Sequence, residues 1–543
     1  MMTDVLIVGA GPTGLTVANL LARYKLNFRI IDKKAGPINQ SRAITVHVRT
    51  LELLDKLTLA EKAIKQGVKI TDVKVFGRGK HITTLPIGSS EEKDWTQFPY
   101  ALALEQSKTE RLLLEEMEKY GVRVEWCTEF LNLTQTDDEV SVTVKRPDGN
   151  EEKITARWLV GADGASSPVR HALNVGFSGS TYEVDSFQAD IELEASHSSN
   201  AVHLHLSHGI LVGMTPLYGE CHFRIFGTIS SEFAAKFNAN ETQSVSLEDL
   251  QAWLDKYFFI KTKLTHIYWT ALYHTHRRIA DHFRIGRCFL VGDAAHVHSP
   301  AGGQGMNLGI GDGYNLAWKL ALVINKHAHP NLLDSYEAER IPVANMILNG
   351  SDVGFELETS NKPVMQWFRF YVLPLFINLL LRLGVVRSAI VKVFSQTWID
   401  YRNSPVVAES PSVSVKPKAG DRAPYGVFEE EQTGKMSLFD LLKGTEYHLL
   451  LFEGLQPDPK FSILQKELCD LLTRYKVAVR IHLITNKNNN LHQRYDAQTP
   501  CLFLIRPDGH IAFQGQLLKL HDFEVYLDKW FLQQELLPLN EYQ

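Results

Sequence analysis

Three glycines near the start of the chain have the spacing of a nucleotide-binding turn. Gly9, Gly11 and Gly14 follow an apolar run at residues 5–8, which is typical of a parallel strand covered on both faces. The spacing Gly-x-Gly-x-x-Gly gives a tight turn, a bare backbone that can approach a pyrophosphate, and close contact between helix and strand. Asp32 ends the next apolar segment, where its carboxylate can accept a hydrogen bond from a ribose 2′-hydroxyl and would repel a 2′-phosphate. The pattern predicts FAD or NAD without choosing between them.

Neighbouring residues extend this site. Thr13 and the first amides of the following helix would face the phosphates at the positive helix end. Pro12 stands at the predicted helix start and Lys33 follows the aspartate, so we assign both to the same nucleotide site. The order strand, helix, strand and terminal acid makes this signal much stronger than the glycines alone.

Two distant segments also combine a predicted buried strand with a turn containing glycine and aspartate. Residues 158–173 read WLVGADGASSPVRHAL, and residues 286–322 continue from a strand through Gly-Asp and a glycine-rich loop into a long helix. These segments and the first turn resemble, in the same order, the signature motifs of class A flavoprotein monooxygenases, which are aromatic hydroxylases with the para-hydroxybenzoate hydroxylase fold. The resemblance covers about the first 400 residues.

The resemblance implies a bound FAD and a transient NADPH or NADH. It places Asp293 on the ribityl chain, and it gives Arg42 and Gln106 to the FAD backbone. It implicates Asp163 and Arg170 in contact with NAD(P)H. Together with the glycine turn, it predicts this FAD-binding set: Gly9, Gly11, Pro12, Thr13, Gly14, Asp32, Lys33, Arg42, Gln106, Asp163, Gly292, Asp293, Pro300, Gly303, Gly305, Met306 and Asn307. Taken alone, Arg42 could equally be a surface cation and Gln106 a helix cap.

The loop at residues 299–307 suits a flat tricyclic ring. Pro300 stiffens its entrance, and Gly302, Gly303 and Gly305 remove side chains that would block the ring. The helix that follows directs its free amides towards the ring, which favours negative charge on reduced flavin. One departure from the family pattern is the sequence Gly-Asp-Gly at residues 311–313, which predicts a locally bent or mobile helix.

The fold class that these patterns predict is a mixture of α/β and α+β domains. A discontinuous Rossmann-like FAD-binding domain is expected at residues 1–67, 101–179 and 276–345. Alternating apolar and polar residues at 180–275 predict an antiparallel sheet, and residues 68–100 are expected to add strands to it. The resemblance implies that this sheet, at 68–100 and 180–275, is the substrate-binding domain. We expect a helical segment at 346–404 and a proline-rich linker at 405–424. Residues 425–543 resemble a thioredoxin-like domain that lacks Cys-x-x-Cys.

Histidines raise the question of a metal or a catalytic base. His203, His205 and His208 have no acidic or cysteine partner at suitable spacing, so no metal site is predicted. His296 and His298 could act as bases, although a structural hydrogen-bonding role is favoured. No single catalytic acid or base is predicted, because the resemblance leaves most of the chemistry to the cofactor.

Composition limits which partners the protein is expected to bind and in which cellular compartment it is expected. The chain has 543 residues and a net charge of −5, with no basic block, so nucleic acid is not an expected partner. The five cysteines are far apart, and no leader or membrane-spanning segment is recognised, so a cytoplasmic protein is expected. A homodimer is a further possibility.

The resemblance implies an aromatic-ring monooxygenase that acts on a phenolic or polycyclic compound. In that family, NAD(P)H reduces FAD, and O2 then forms a C4a-hydroperoxide whose terminal oxygen attacks the ring. Two alternatives remain open at the level of sequence. One is a flavin oxidase or dehydrogenase without oxygen insertion, and the other is an FAD-bound binding protein for an aromatic metabolite.

Overall fold

The N-terminal region builds most of a nucleotide-binding body. A computed structural model of the protein describes residues 2–39, 41–77, 79–88, 95–194, 200–207, 210–230, 232–234, 245–258, 263–298, 301–359, 363–368, 372–382, 385–411, 416–430, 434–455 and 458–534. Its first elements are β1 (Thr3–Val8), α1 (Pro12–Arg23), β2 (Phe28–Ile31), β3 (Thr45–Val46), α2 (Val48–Lys56), α3 (Ala60–Gln66), β4 (Val68–Ile70), β5 (Asp72–Gly77), β6 (Lys80–Pro86), β7 (Ala101–Ala103), α4 (Gln106–Glu118), β8 (Glu129–Gln135), β9 (Val140–Lys145), β10 (Glu151–Gly161) and α5 (Pro168–Ala172).

The middle of the chain adds a large sheet and the helices that follow it. These elements are β11 (Phe177–Leu193), β12 (Ala201–Ser207), β13 (Ile210–Pro216), β14 (His222–Thr228), α6 (Leu247–Tyr257), β15 (Leu264–Ala280), β16 (Arg284–Ile285), β17 (Cys288–Leu290), β18 (His296–Val297), α7 (Gly305–Ile324), α8 (Asp334–Thr359), α9 (Pro363–Trp367), α10 (Leu373–Arg382) and α11 (Val385–Ser395). Within the described ranges, no helix is both long and apolar enough to cross a bilayer.

The C-terminal region forms a separate small body. It contains β19 (Ala408–Glu409), β20 (Val427–Glu430), β21 (Gly434–Ser437), α12 (Leu438–Leu441), β22 (Tyr447–Phe452), α13 (Phe461–Leu472), β23 (Val479–Ile484), α14 (Asn489–Arg494), β24 (Cys501–Ile505), β25 (Ile511–Gln516) and α15 (Leu520–Trp530). Its sheet has the order β19-β25-β24-β22-β23, in which β22 and β23 are parallel.

A seven-stranded sheet forms the frame of the nucleotide site. Strands β17, β10, β1 and β2 run parallel, so the turns after β1, β10 and β17 meet at one edge of the sheet. β1 contains a four-residue apolar run at 5–8 because both of its faces are covered there, and Val5, Leu6 and Ile7 are fully buried. Helices α1 and α7 lie against each other beside this sheet.

An eight-stranded sheet carries the alternating segments of the sequence. Its order is β18-β15-β11-β14-β13-β12-β5-β6, and its neighbours are antiparallel except for β12 and β5. One face packs its apolar residues, including Phe187 and Ile225, against Trp253 of α6. The opposite face presents the intervening residues, as period-two alternation requires.

The structure adds detail to two expectations from the sequence. Helix α7 continues as an unbroken α-helix through the Gly-Asp-Gly sequence. A Cβ on Gly313 would lie 3.0 Å from the Thr13 carbonyl oxygen, so this glycine permits close helix packing. The predicted linker is not a free tether, because Val406 is buried and β19 pairs with β25 of the C-terminal sheet.

Candidate active site

The three glycines of the first turn have different roles. A Cβ on Gly9 would lie 2.3 Å from the carbonyl oxygen of Ala162, and one on Gly14 would lie 1.9 Å from the carbonyl oxygen of Gly9. Both positions therefore require glycine for backbone packing. A Cβ on Gly11 would meet no protein atom within 4 Å, so this position faces open space. Asp32 lies beside the turn, where its carboxylate accepts from the Ala10 amide at 2.8 Å.

Thr13 brings the first and third motifs together. A Cβ on Gly292 would lie 2.6 Å from the Thr13 hydroxyl oxygen, and one on Gly309 would lie 2.3 Å from the same atom. The turn after β17 and the start of α7 are therefore in direct contact with the first turn of α1. This contact joins segments almost 280 residues apart at the edge of the parallel sheet.

Asn307 clamps the glycine-rich loop before α7. Its Nδ2 donates to the carbonyl oxygens of Thr45 and Gly303 at 2.8 and 2.9 Å, and its Oδ1 accepts from the His47 amide at 2.8 Å. Gly303 has a φ of +63°, a conformation that side chains rarely adopt. The Asn307 side chain thus fixes the loop backbone, which leaves that backbone to contact a ligand.

Asp293 faces open space at the Gly-Asp turn, and we call this space the cleft. Its surface is exposed, yet enough protein lies around it that burial raises the pKa of its carboxyl. His296 and Arg42 oppose this rise, and no described residue donates a hydrogen bond to the carboxylate. Arg42 is exposed at the same cleft. An unpartnered acid and a cation facing one cleft are suited to the hydroxyl and phosphate groups of a dinucleotide.

The remaining residues predicted to bind FAD lie in different environments. Gln106 begins α4, accepts from the Ala43 amide at 3.2 Å and donates to Glu110 at 2.9 Å. Met306 is partly buried against the core of the nucleotide-binding body, and Lys33 is exposed. Pro300 lies outside the described residues.

Asp163 and Arg170 are both engaged within the protein. Asp163 accepts from Ser167 Oγ at 2.6 Å and from the Val169 amide at 3.0 Å, so it holds the start of α5. Arg170 is 2% exposed and donates to the Ala294 carbonyl oxygen at 2.9 Å. It thereby joins the second motif to the third, and a contact with NAD(P)H stays a prediction.

A buried ion pair missed at the level of sequence supports the Gly-Asp turn. Asp312 accepts from the Gly292 amide at 2.9 Å, from His296 Nε2 at 2.6 Å and from Arg340 Nε at 2.6 Å. Burial raises the pKa of Asp312, but Arg340 and His296 outweigh it and hold that pKa below its usual range. An acid inside an otherwise apolar helix was the available signal, since a buried carboxylate needs a partner.

The same network reaches the C-terminal body. Arg340 donates to the Tyr401 hydroxyl at 3.0 Å, and the ring of Tyr401 packs 4.4 Å from that of His510. Next to it, Arg506 of the C-terminal body donates to both carboxylate oxygens of Glu339, at 2.6 and 2.9 Å. A chain of buried polar contacts therefore runs from the C-terminal sheet to the turn that carries Asp293.

The inner face of the eight-stranded sheet carries a second polar group that the sequence reasoning missed. Gln188 Nε2 donates to the Tyr273 hydroxyl at 3.1 Å. Burial raises the pKa of Tyr273 to about 12, and the Arg224 and Arg42 cations oppose that rise. Arg42 lowers the pKa of both Tyr273 and Asp293, so both groups lie within electrostatic range of one cation. Polar residues at the inward positions of an alternating strand were the signal for such a group.

The candidate histidines have structural partners. His205 is buried and stacks on Phe76 with ring centroids 4.5 Å apart, and burial lowers its pKa to about 4. His296 bonds to Asp312, as described above. His208 lies outside the described residues.

His47 predicts a specific pH dependence of stability. It donates from Nε2 to the Gly302 carbonyl oxygen at 3.0 Å, and burial lowers its pKa from 6.5 to about 4. The unfolded chain therefore binds a proton at pH values where His47 of the folded protein stays neutral. The contribution of His47 to the free energy of unfolding is complete above pH 6.5 and is lost as the pH falls towards 4. We expect this residue to contribute about 2 kcal/mol of the loss in unfolding free energy between pH 7 and pH 5. Urea denaturation should show a smaller loss for His47→Gln, and equal losses would contradict the assignment.

The cleft fits FAD. Gly11 offers bare backbone to a pyrophosphate, Asp32 offers a carboxylate beside the turn, and Asp293 offers an unpartnered acid further along the cleft. Gly302 and Gly303 have φ values of +75° and +63° and carry no side chain, so only their backbone can contact a ligand there. These donors and acceptors come from three segments of the chain that meet only in the folded protein.

Comparison with known proteins agrees with this geometry. A family model described as an FAD binding domain matches residues 2–351. The chain is 31% identical to 6-methylpretetramide 4-monooxygenase of Streptomyces rimosus, over 94% of this chain and 91% of the relative. It is also 31% identical to pentachlorophenol 4-monooxygenase of Sphingobium chlorophenolicum, over 82% of this chain and 79% of that relative.

Solved structures extend the likeness to the C-terminal body. The anhydrotetracycline hydroxylase of Streptomyces rimosus matches with a TM-score of 0.75 and 27% identity, and the match covers 98% of this chain and 99% of the other. An aklavinone-11 hydroxylase, solved with FAD and aklavinone, matches with a TM-score of 0.76 over 97% of this chain and 98% of the other. At 23% identity, that second match shows the fold alone.

Proposed function

The chain belongs to the FAD-dependent aromatic monooxygenases of the class A flavoprotein type, and on that premise we propose that it hydroxylates a polycyclic phenol. The family match covers residues 2–351, so the resemblance inferred from three motifs is confirmed. Relatives named for pentachlorophenol and for tetracycline intermediates support a phenolic substrate, and the latter support a polycyclic one. The observation that carries the proposal is that the first and third motif turns meet at Thr13, where Gly11 and Asp293 both face open space.

We assign the cofactor contacts to the residues that face this cleft. Gly11 and the start of α1 would hold the pyrophosphate, Asp32 the adenosine ribose, and Asp293 the ribityl chain. The backbone around Gly303 would border the ring. When bound, FAD supplies hydride acceptance from NAD(P)H and activation of O2.

The protein itself contributes position. The network from Asp312 to Arg340 holds the Gly292 amide, which precedes Asp293 in the turn. A second strand-linked Gly-x-Gly-x-x-Gly is absent from the sequence, which supports a reductant that binds transiently. Both NADH and NADPH remain candidates for that reductant.

Tyr273 is the residue we assign to substrate recognition. Gln188 donates to its oxygen, and no described residue accepts its proton. Because burial keeps the pKa of Tyr273 near 12, the hydroxyl stays protonated at neutral pH and can donate to a substrate oxygen. We expect Tyr273→Phe to raise KM for the phenol by about 2- to 12-fold, the value of one neutral hydrogen bond, with a smaller effect on kcat.

A matched control lies on the same strand. Tyr268 is exposed on β15 and bonds to His222 and Glu192. Steady-state kinetics of Tyr268→Phe should equal those of the wild type. If both variants change KM alike, the assignment of Tyr273 is wrong.

We also propose a fold for the C-terminal body and a position for the boundary before it. A parallel β22-α13-β23 unit followed by the antiparallel β24-β25 hairpin and α15 supports a thioredoxin-like domain. The five strands and their helices lie after residue 404, which supports a boundary there. A homodimer is tested by analytical ultracentrifugation.

Oxygen incorporation tests the proposed function. Purified FAD-loaded protein, a reductant and a panel of mono- and polycyclic phenols are incubated under 18O2, and products are analysed by mass spectrometry. We expect phenol-stimulated NAD(P)H consumption and one labelled oxygen in a polycyclic product. Consumption without label would indicate an oxidase or dehydrogenase, and neither result would indicate a binding protein.

A further inference from the structure

We propose that helices α9 to α11 form a surface that binds bilayers of anionic lipid. We define the apolar surface as the exposed large apolar side chains of this region: Val364, Trp367, Phe368, Leu375, Phe376, Leu379 and Leu380. Neither the family match nor the proposed reaction assigns a role to it. The proposal does not depend on the proposed function.

The exposure of these side chains is large and lies on one helix face. Leu375, Phe376 and Leu379 are 73%, 58% and 57% exposed. Their spacing along α10 puts them, with Leu380, on a single face of the helix. A soluble protein rarely leaves such a contiguous face uncovered, so it indicates an interaction surface.

The short helix before it adds an aromatic anchor. Trp367 of α9 is 59% exposed and Val364 is 78% exposed. Tryptophan and phenylalanine favour the boundary between acyl chains and headgroups, because the ring combines apolar area with polar or polarisable edges. Both helices therefore present the residue types found in interfacial segments.

Charge identifies the kind of lipid. Between Glu358 and Asp400 the sequence has five basic residues and no acidic one, although the whole chain has a net charge of −5. The basic residues are Lys362, Arg369, Arg382, Arg387 and Lys392. Each cation near an anionic bilayer contributes about 1 kcal/mol to binding. The combination of apolar residues and cations matches an anionic lipid surface.

Two other occupants fit less well. Helix α10 has 10 residues, too few to span a bilayer of about 30 Å. A twofold interface with a second copy would set two segments of net positive charge against each other, which is repulsive. A lipid surface is the occupant whose charge complements this segment.

The surface adjoins the large sheet. Helices α10 and α11 contact β6 at the edge of that sheet. Phe394 of α11 joins an apolar cluster with Val75, Leu85 and Leu204. The helices are therefore anchored to the protein on one side, which leaves the apolar surface free on the other.

Vesicle flotation tests the proposal. FAD-loaded full-length protein is mixed with extruded vesicles of phosphatidylcholine alone or of phosphatidylcholine and phosphatidylglycerol in equal amounts. We expect partitioning onto the anionic vesicles to be at least about 10-fold stronger and to weaken at high salt. The double variant Leu375→Glu/Leu379→Glu should lose at least about 10-fold in binding. Lys392→Gln, at an exposed position, should lose about fivefold, the equivalent of one cation.

Controls separate this result from misfolding and from self-association. Ile463→Glu changes an apolar residue of the C-terminal body that is 61% exposed, and it should bind vesicles like the wild type. FAD absorbance and the thermal midpoint should be unchanged in every variant. Equal binding to both vesicle types, or wild-type binding by the double variant, overturns the proposal. A dimer that the double variant dissociates would assign the surface to a second copy and would overturn it as well.

Discussion

Replacing Gly11 with alanine is expected to abolish FAD binding while leaving the apoprotein folded. Gly11 has a φ of −80°, which alanine adopts without strain, and its added Cβ would meet no protein atom within 4 Å. The methyl group would instead occupy the space where the pyrophosphate approaches the backbone. We expect FAD affinity to fall at least about 100-fold, equivalent to about 2.7 kcal/mol. Fluorescence titration of the apoprotein with FAD measures this.

Gly14 provides the contrast to Gly11. A Cβ on Gly14 would lie 1.9 Å from the Gly9 carbonyl oxygen, so Gly14→Ala forces the backbone apart. This variant should lower the thermal midpoint of the apoprotein itself, whereas Gly11→Ala should not. If Gly11→Ala binds FAD like the wild type, the pyrophosphate does not lie at this turn.

Replacing Arg506 with alanine is expected to destabilise the whole protein. The guanidinium is fully buried and bonds to Glu339 of α8 and to Asp508 beside it in the C-terminal body. Removing it leaves two buried carboxylates with one fewer cation, and breaking a buried pair of this kind costs about 3–5 kcal/mol. Glu339 immediately precedes Arg340, whose contact with Asp312 supports the Gly-Asp turn. We therefore also expect the variant to retain FAD less tightly. Urea denaturation and FAD release on dilution measure the two effects.

A surface ion pair serves as the comparison. Lys65 and Glu61 form an exposed pair on α3, so Lys65→Met should change stability by less than about 1 kcal/mol. A loss for Arg506→Ala no larger than that of Lys65→Met would show that the buried network does not join the two bodies. Loss of stability with unchanged FAD affinity would show that the network ends before the Gly-Asp turn.

Local sequence patterns were enough to predict the position of the nucleotide-binding turn. The apolar run, the glycine spacing and Asp32 lie within one strand-helix-strand unit, and the structure has β1, α1 and β2 at those positions. Each of these features is set by contacts over fewer than 30 residues, which periodicity and spacing can report. The apolar run YHLLLF at residues 447–452 forms strand β22 for the same reason.

Other features of the site depended on residues far apart in the sequence. The sequence did not show what would pair with Asp312, whose partners in the structure are Arg340 and His296. The proline-rich segment after residue 404 looked like a linker, but the C-terminal sheet offered β25 as a partner for β19. Neither partner could be identified from local spacing.

The sequence by itself determined a dinucleotide-binding turn, the parallel frame of the nucleotide site and the alternation of the large sheet. These follow from backbone geometry, which requires glycine at close approaches and a period of two in half-covered strands. Only the tertiary structure decided which charges are paired across the chain, which side chains face the cleft and which apolar residues stay exposed. Those outcomes depend on which surfaces meet, and a single sequence does not record the distance between residues such as Thr13 and Gly292.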